Sequence, residues 1–271
     1  MNPYVLFKQD CVREIASQGE DKNIAQLTSD WINQSTVNKY SYHFEYMGRP
    51  IIQYPQDMIA IQELIWQVKP DLIIETGVAH GGSLIMSASM LTMIEYAEAV
   101  AGNTVLNPAK PSRKVIGIDI DIREHNKNLI QSHPLSNKIE LIQGSSIDPK
   151  IVNQVKEKSN CAKKIMIFLD SNHTHDHVLA ELEAYAPLVS KGSYCVVFDT
   201  IIEDMPNESF SNRPWGVGNS PKTAVFSYLK LLQEEGRLAL DGDPLLLNID
   251  TNIDNQLLIS VAPQGYLLRQ F

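Results

Sequence analysis

Residues 71–83, Asp71-Leu-Ile-Ile-Glu-Thr-Gly-Val-Ala-His-Gly-Gly-Ser83, constrain this chain more than any other stretch. A short apolar run ends in an acid, a glycine turn follows, and a polar residue opens an apolar segment of helical length. Leu72, Ile73 and Ile74 are bulky and consecutive, the pattern of a strand buried on both faces of a parallel sheet. Gly77, Gly81 and Gly82 lack a Cβ and tolerate positive φ, so they let backbone come close to a ligand. The open end of such a strand is where α/β folds bind nucleotides. The competing reading is a tight βα turn whose glycines only relieve packing.

Glu75, at the carboxyl end of the strand, favours the ligand reading. A dinucleotide site calls for G-x-G-x-x-G with an acid about 20 residues on. Here the spacing is Gly77-x-x-x-Gly81-Gly82, and the next strand-end acid, Asp119, comes 42 positions after Gly77. An acid before the loop suits the amino and sulfonium charges of S-adenosylmethionine and would repel the pyrophosphate of NAD. The expected cofactor is therefore the sulfonium with its adenosine arm.

At 271 residues the chain supports one elaborated α/β domain rather than two. We expect an N-terminal helical and aromatic extension over 1–54, acting as a cap or an oligomer contact, and the cofactor-binding domain over 55–271. A net charge of −9 speaks against nucleic acid or an anionic membrane surface as partner. No signal peptide is legible, nor a run of 18 apolar residues, so the expected setting is cytoplasmic, with no stable membrane insertion; a homo-oligomeric state is a separate expectation. Cys11, Cys161 and Cys195 lack metal-ligand spacing and are expected as reduced thiols, with Cys195 in the core.

Along the chain, residues 4–35 read as two helices broken at Gly19 and Asp21, and Tyr40 to Asp57 as an aromatic loop that lines a pocket or packs on the surface. Asp57 is the expected N-cap of a helix through Val68. Strands at 72–75, 115–118, 139–142, 165–169 and 194–198 alternate with helices at 82–99, 122–131, 148–155 and 176–189, a Rossmann-like order. Asp119 is placed to accept both ribose hydroxyls, and Asp121 to cap the next helix. Ser145 and Ser146 either meet the adenine edge or cap the following helix. A final hairpin is expected from Gln256–Val261 and Tyr266–Arg269 around Pro263-Gln-Gly265.

Asp170 and Asp199 end two successive parallel strands. Two carboxylates converging there repel unless a cation sits between them, and hard oxygen ligands favour Mg²⁺. Such a metal stabilises the alkoxide of a substrate hydroxyl, and His173, three positions after Asp170, is the candidate base. His175 and His177 read as a solvated helix start. A rival is an iron site of Asp170, His173 and His177, the histidines sharing a helix face at i, i+4. A further rival is a nucleotide-binding protein without catalysis. Residues 201–220, rich in Gly and Pro, read as a lid, with Trp215 a platform for a sugar, Arg213 a partner for an anionic group, and Glu203 an addition to the metal shell or a solvated loop acid.

Gln53-Tyr-Pro-Gln-Asp57, Pro70 through Gly77 with Gly81-Gly-Ser83, Gly117-Ile-Asp-Ile-Asp121, Leu169-Asp-Ser-Asn-His173, Asp199-Thr200 and Gly265-Tyr-Leu occur in that order, and the set resembles the cephalosporin hydroxylase and rhamnosyl O-methyltransferase family over roughly residues 40–271. The resemblance implies a class I, S-adenosylmethionine-dependent O-methyltransferase with a seven-stranded, mostly parallel sheet, acting on a sugar or glycan-linked small molecule in surface-polysaccharide or natural-product pathways. It also implies that Glu75, Gly77, Gly81, Ser83 and Asp119 hold the cofactor, to which we add Ala79, Ser146 and Asp170 as expected contacts, and that Asp170 and Asp199 hold Mg²⁺. The antibiotic branch has a Glu-Asp pair where Phe198 precedes Asp199 here, so Thr200, Glu203 or water must replace one ligand. Similarity to catechol-type O-methyltransferases places Thr200 after the second aspartate and His173 as base.

Overall fold

A computed structural model describes residues 2–270. Two helices come first, α1 (Pro3–Glu20) and α2 (Lys22–Val37), and Asp21 between them caps α2 by accepting from the Asn23 and Ile24 amides. The stretch expected as an aromatic loop contains a small antiparallel hairpin, β1 (Phe44–Tyr46) and β2 (Arg49–Ile51), turned at Met47-Gly48. Its aromatics do both things expected of them: Tyr40 packs edge-on against Trp31 and Phe44, while Tyr42 faces a cleft.

Helix α3 (Pro55–Val68) begins before the expected cap. Pro55 has φ suited to the first helical position, which moves the cap to Tyr54 and carries Asp57 into the first turn. Asp57 is wholly buried and accepts from Ser260 Oγ at 2.6 Å, the Val261 amide at 2.9 Å and Tyr266 Oη at 2.7 Å. It is thus a bolt between α3 and the C-terminal segment, and burial pushes its pKa up to about 6 against those bonds. Asp57→Ala leaves three donors without their acceptor, and we expect it to cost on the order of 3 kcal/mol in urea unfolding at pH 7. A loss within about 0.5 kcal/mol, the range of ordinary surface changes, would show that the bolt carries no load.

The remaining elements are β3 (Leu72–Thr76), α4 (Gly82–Gly102), β4 (Lys114–Asp119), α5 (Glu124–Gln131), β5 (Ile139–Gln143), α6 (Pro149–Ser159), β6 (Ile165–Leu169), α7 (His175–Tyr185), β7 (Tyr194–Val197), α8 (Pro221–Glu235), β8 (Leu247–Ile249), α9 (Thr251–Leu257) and β9 (Tyr266–Arg269). Seven strands form one sheet in the order β5-β4-β3-β6-β7-β9-β8, parallel up to β7, with β9 antiparallel to both β7 and β8. The expected C-terminal hairpin is present with a different first strand. Asp250 caps α9, so 251–257 is helical and the partner of β9 is β8. Asp121 is not a cap either, since Arg123 precedes α5 and the Asp121 amide donates to Asp119.

Alternation along each strand divides the core. Ile73, Val115, Met166 and Val196 point to the side of α3 and α4, while Leu72, Ile74, Ile116, Ile167 and Val197 point to α6, α7 and α8. Glu75, two positions after Ile73, is therefore carried beneath α4. Helix α4, with a mean hydropathy of 1.3, is long and apolar enough to cross a bilayer. Here Leu84, Ile85, Ala88 and Leu91 are buried in the domain. Cys195 is in the core as expected.

The chain runs from β3 outward to β4 and β5, then crosses to β6 on the other side of β3. Between β3 and β6 lies the topological switch where open α/β sheets bind ligands. Thr76 is level with both Ile118 and Leu169, and Leu169 with Val197, so Glu75, Asp119, Asp170 and Asp199 emerge along one edge.

Candidate active site

Two hollows open along that edge and share a wall. The first, about 230 Å³, lies over the β3–α4 turn and includes Gly77 through Ser83, Asp119 and Asp170. The second, about 370 Å³, runs under the 201–215 segment and includes Trp215, Arg213 and Phe210, with Thr36 and Lys39 contributed by the end of α2 and the turn after it. Tyr42, Ile52, His173 and Asp199 border both.

Beneath the first hollow, in a small cavity of about 20 Å³ that shares Gln53, Ser83 and Asp170 with it, Glu75 is almost fully buried. Ser83 Oγ donates to its Oε1, and its Oε2 has no hydrogen-bond partner among the described residues. Burial pushes the Glu75 pKa up to about 8, despite the Ser83 bond. A carboxyl group whose folded pKa is raised contributes stability below its unfolded pKa and loses it as pH rises through the folded value. The ligand-free protein is therefore expected to lose stability between about pH 4.5 and 8. Glu75→Gln should flatten that slope in thermal unfolding scans, and an unchanged slope would show that Glu75 ionises freely.

The glycines line the hollow, and two of them also do what the competing reading assigned them. A Cβ at Gly77, where φ is +91°, would collide with the Asp170 carbonyl oxygen, and one at Gly82 would collide with the Pro50 carbonyl. They clear neighbouring protein, which lets β2 close over the turn. The turn is also held from outside, a feature the sequence did not flag. Buried Arg49 donates to the His80 carbonyl from Nε at 2.9 Å and from Nη2 to Asn126 Oδ1 at 3.0 Å, and Asn126 Nδ2 donates to the Ala79 carbonyl at 2.9 Å. Ala79 itself sits at a left-handed φ of +44°. Asp119 lines the hollow and accepts from the Val78 amide at 2.8 Å and the Asp121 amide at 3.0 Å. Its two oxygens offer about four acceptor positions, so capacity for a further donor remains.

Ser146 is not at this hollow. Its Oγ lies 3.1 Å from His177 Nε2 and its carbonyl accepts from Tyr185, while Asp148 caps α6, so neither expectation for the serine holds. His177 is tied to Ser146, Ser171 and Glu181, and His173 precedes the first residue of α7. The two histidines therefore do not share a helix face, and the iron-site alternative fails. His175 Nδ1 pairs with Thr223 Oγ1 at 2.8 Å and joins α7 to α8.

His173 and Asp199 on the shared wall and Asp170 of the first hollow each bring a ligand atom within 4.8 Å of the others. His173 Nε2 is 3.2 Å from Asp199 Oδ2. Asp199 occupies left-handed backbone, φ +55°, a strained conformation that turns its carboxylate back toward Asp170. Burial, then the charges of Asp199 and Glu75, hold the Asp170 pKa well above the usual carboxylate range. A cation would relieve that repulsion. Gln53, also missed by the sequence reading as a polar group in an aromatic stretch, donates from Nε2 to Asp170 Oδ2 at 3.3 Å.

Thr200 and Glu203 are corrected. Thr200 is fully buried and its Oγ1 donates to the Pro263 carbonyl at 2.7 Å, away from Asp170. The Glu203 carboxylate accepts from the Gly218 amide at 2.9 Å and Ser220 Oγ at 2.6 Å, which fastens the lid loop to the start of α8. Phe198, where the antibiotic branch has an acid, packs into the core against Phe168. Trp215 and Arg213 stand where expected. The Trp215 ring meets His173 edge-on at 4.7 Å, and the Arg213 guanidinium lies 5.3 Å from the Trp215 centroid.

The strand order, with its switch beside β3, its terminal antiparallel pair and its acids aligned at the carboxyl edge, defines the class I methyltransferase fold. The chain belongs to the rhamnosyl O-methyltransferase/CmcI family, whose model matches residues 38–270, and is thus an S-adenosylmethionine-dependent O-methyltransferase. That assignment removes both the hydroxylase and the non-catalytic alternatives. Rhamnosyl O-methyltransferases of Mycobacterium bovis (strain BCG / Pasteur 1173P2) and Mycobacterium tuberculosis (strain ATCC 25618 / H37Rv) are each 29% identical over 225 residues, which is 83% of this chain and 77% of theirs. A solved CmcI-D160 structure with Mg and SAM is 18% identical with a TM-score of 0.52, covering 85% of this chain and 78% of that one. It supports the fold alone.

Proposed function

We propose that this enzyme transfers the methyl group of S-adenosylmethionine to a hydroxyl of a sugar or glycan-linked small molecule, with Mg²⁺ held by Asp170 and Asp199. The observation that carries the reading is the meeting of two hollows at His173 and Asp199, beside Asp170 of the first, which separates a donor side from an acceptor side. On the donor side, Glu75 fits a cationic, hydrogen-donating group such as an α-ammonium, because its Oε2 is a buried acceptor without a partner. Asp119 retains acceptor positions suited to a ribose hydroxyl, and Gly77, Ala79, Gly81 and Ser83 wall the turn beside it. The bound cofactor supplies a methyl group on a sulfonium, and the metal, when bound, polarises the acceptor hydroxyl.

The chain's own groups do the rest. Asp170 and Asp199 present hard oxygens where two neighbouring charges otherwise repel. His173 Nε2 faces Asp199 at 3.2 Å and donates to it, so Nδ1 is the nitrogen that accepts the hydroxyl proton, and Asp199 stabilises the imidazolium that results. Trp215 keeps the His173 ring in place and offers a flat face to a sugar. Residues 1–54 act as a cap, since Thr36, Lys39 and Tyr42 close one side of the acceptor hollow. The sugar assignment draws on the rhamnosyl relatives, and orients the enzyme toward surface-glycan or natural-product chemistry.

Isothermal titration with S-adenosylhomocysteine, with and without Mg²⁺, tests the reading. It requires one cofactor site per chain, and Mg²⁺ binding that is lost in Asp170→Asn. No heat of cofactor binding under either condition would overturn it.

A further inference from the structure

The acceptor hollow carries an unusual charge arrangement for a chain of net charge −9. Of the seven arginines, Arg13, Arg113, Arg123, Arg237 and Arg269 form ion pairs, and Arg49 is hydrogen-bonded in the interior. Arg213 alone has no side-chain hydrogen bond or ion pair among the described residues; its guanidinium lies over Trp215 at the rim of the hollow. Lys39 enters from the opposite side, at a left-handed φ of +53°, and likewise has no carboxylate within ion-pair distance among the described residues. Its Nζ lies 5.9 Å from the Tyr42 centroid.

Three carboxylates of the 199–204 segment are engaged elsewhere. Glu203 is used by Gly218 and Ser220, Asp204 by Lys222, and Asp199, the one carboxylate lining the hollow, faces His173. Two cations, each on an aromatic platform, thus flank a polar hollow whose inner wall is the candidate base. Arg213, Trp215 and His173 form a chain of contacts, the guanidinium over the indole and the indole edge-on to the imidazole. Arginine presents a planar fork matched to carboxylate or phosphate, and lysine a point charge.

We infer that the acceptor is an anionic sugar: a monosaccharide unit whose carboxylate or phosphate sits between Arg213 and Lys39, its ring against Trp215 and its reacting hydroxyl at His173. The inference rests on the sugar-methylating reading above and narrows it to a charged substrate class. Neutral hexoses leave both cations without partners, so they forgo the charge-assisted bonds that hold the ring in register.

Ligand-observed NMR on protein loaded with S-adenosylhomocysteine and Mg²⁺ tests this with three probes: glucose, glucuronate and glucose 1-phosphate. We expect at least one anionic sugar to bind about tenfold or more tightly than glucose, with a preference that weakens as salt is added. The better of the two identifies carboxylate or phosphate as the group recognised. Arg213→Gln and Lys39→Gln should each reduce the preference and together remove it, with cofactor affinity unchanged because neither residue lines the donor hollow. Three results would overturn the inference: equal affinity for glucose and both anions, a preference that persists in the double variant, or no binding by either anion at millimolar concentration. A parent protein that does not bind the cofactor would instead refute the underlying functional reading.

Discussion

Asp170→Asn is expected to lower kcat/KM for methyl transfer by about three orders of magnitude, because it removes a metal ligand and the charge that orients the reacting hydroxyl. The same change should leave the fold intact and raise the thermal stability of the ligand-free protein. Asp170 is half-buried and feels the charges of Asp199, Glu75, Glu181 and Asp57, so its ionised form strains the folded state. Stability and activity thus move in opposite directions, which a merely structural aspartate would not produce. The decisive comparison is thermal unfolding with and without Mg²⁺: the metal should stabilise the parent and have no effect on the variant.

His173→Gln comes next in size. Loss of a positioned general base typically costs about 10²–10⁴ in rate. The cost should appear in kcat with little change in KM for the cofactor, since His173 stands at the wall between the hollows and not within the β3–α4 turn. Residual activity of the variant should climb with pH across the range where the parent has reached its plateau, as solvent takes over proton removal. A variant with kcat within about threefold of the parent would remove His173 from the chemistry, since a working general base contributes at least about 10².

The strands were legible because each is a short, dense apolar run ending in a polar residue, and the acids at 75, 119, 170 and 199 are the residues that such runs deliver to one edge. The site residues that failed did so for directional reasons. Thr200 follows Asp199 in the chain, yet the left-handed turn at Asp199 sends the two side chains apart, one to His173 and the other to Pro263. Ser146 has the composition of a cofactor contact, but His177, a long-range neighbour, takes its hydroxyl. Glu203 has the loop position of a metal ligand and instead staples the loop.

Asp57 shows a local rule overridden by a neighbour. An acid before an apolar helical pattern reads as a cap, but Pro55 two residues earlier starts the helix and frees the acid for Ser260 and Tyr266. The contribution of α2 and its following turn to the acceptor hollow was beyond local pattern altogether. It depends on how Thr36, Lys39 and Tyr42 pack across from a lid that follows them distantly in the chain.

The central claim is that donor and acceptor meet at the acids of the fourth and fifth parallel strands, β6 and β7. A crystal structure with S-adenosylhomocysteine and Mg²⁺ addresses it most directly. The account predicts the thioether sulfur directed from the β3–α4 turn toward His173, and the metal bound by Asp170 and Asp199. Cofactor density away from that turn, or a metal that leaves either carboxylate uncoordinated, would contradict it.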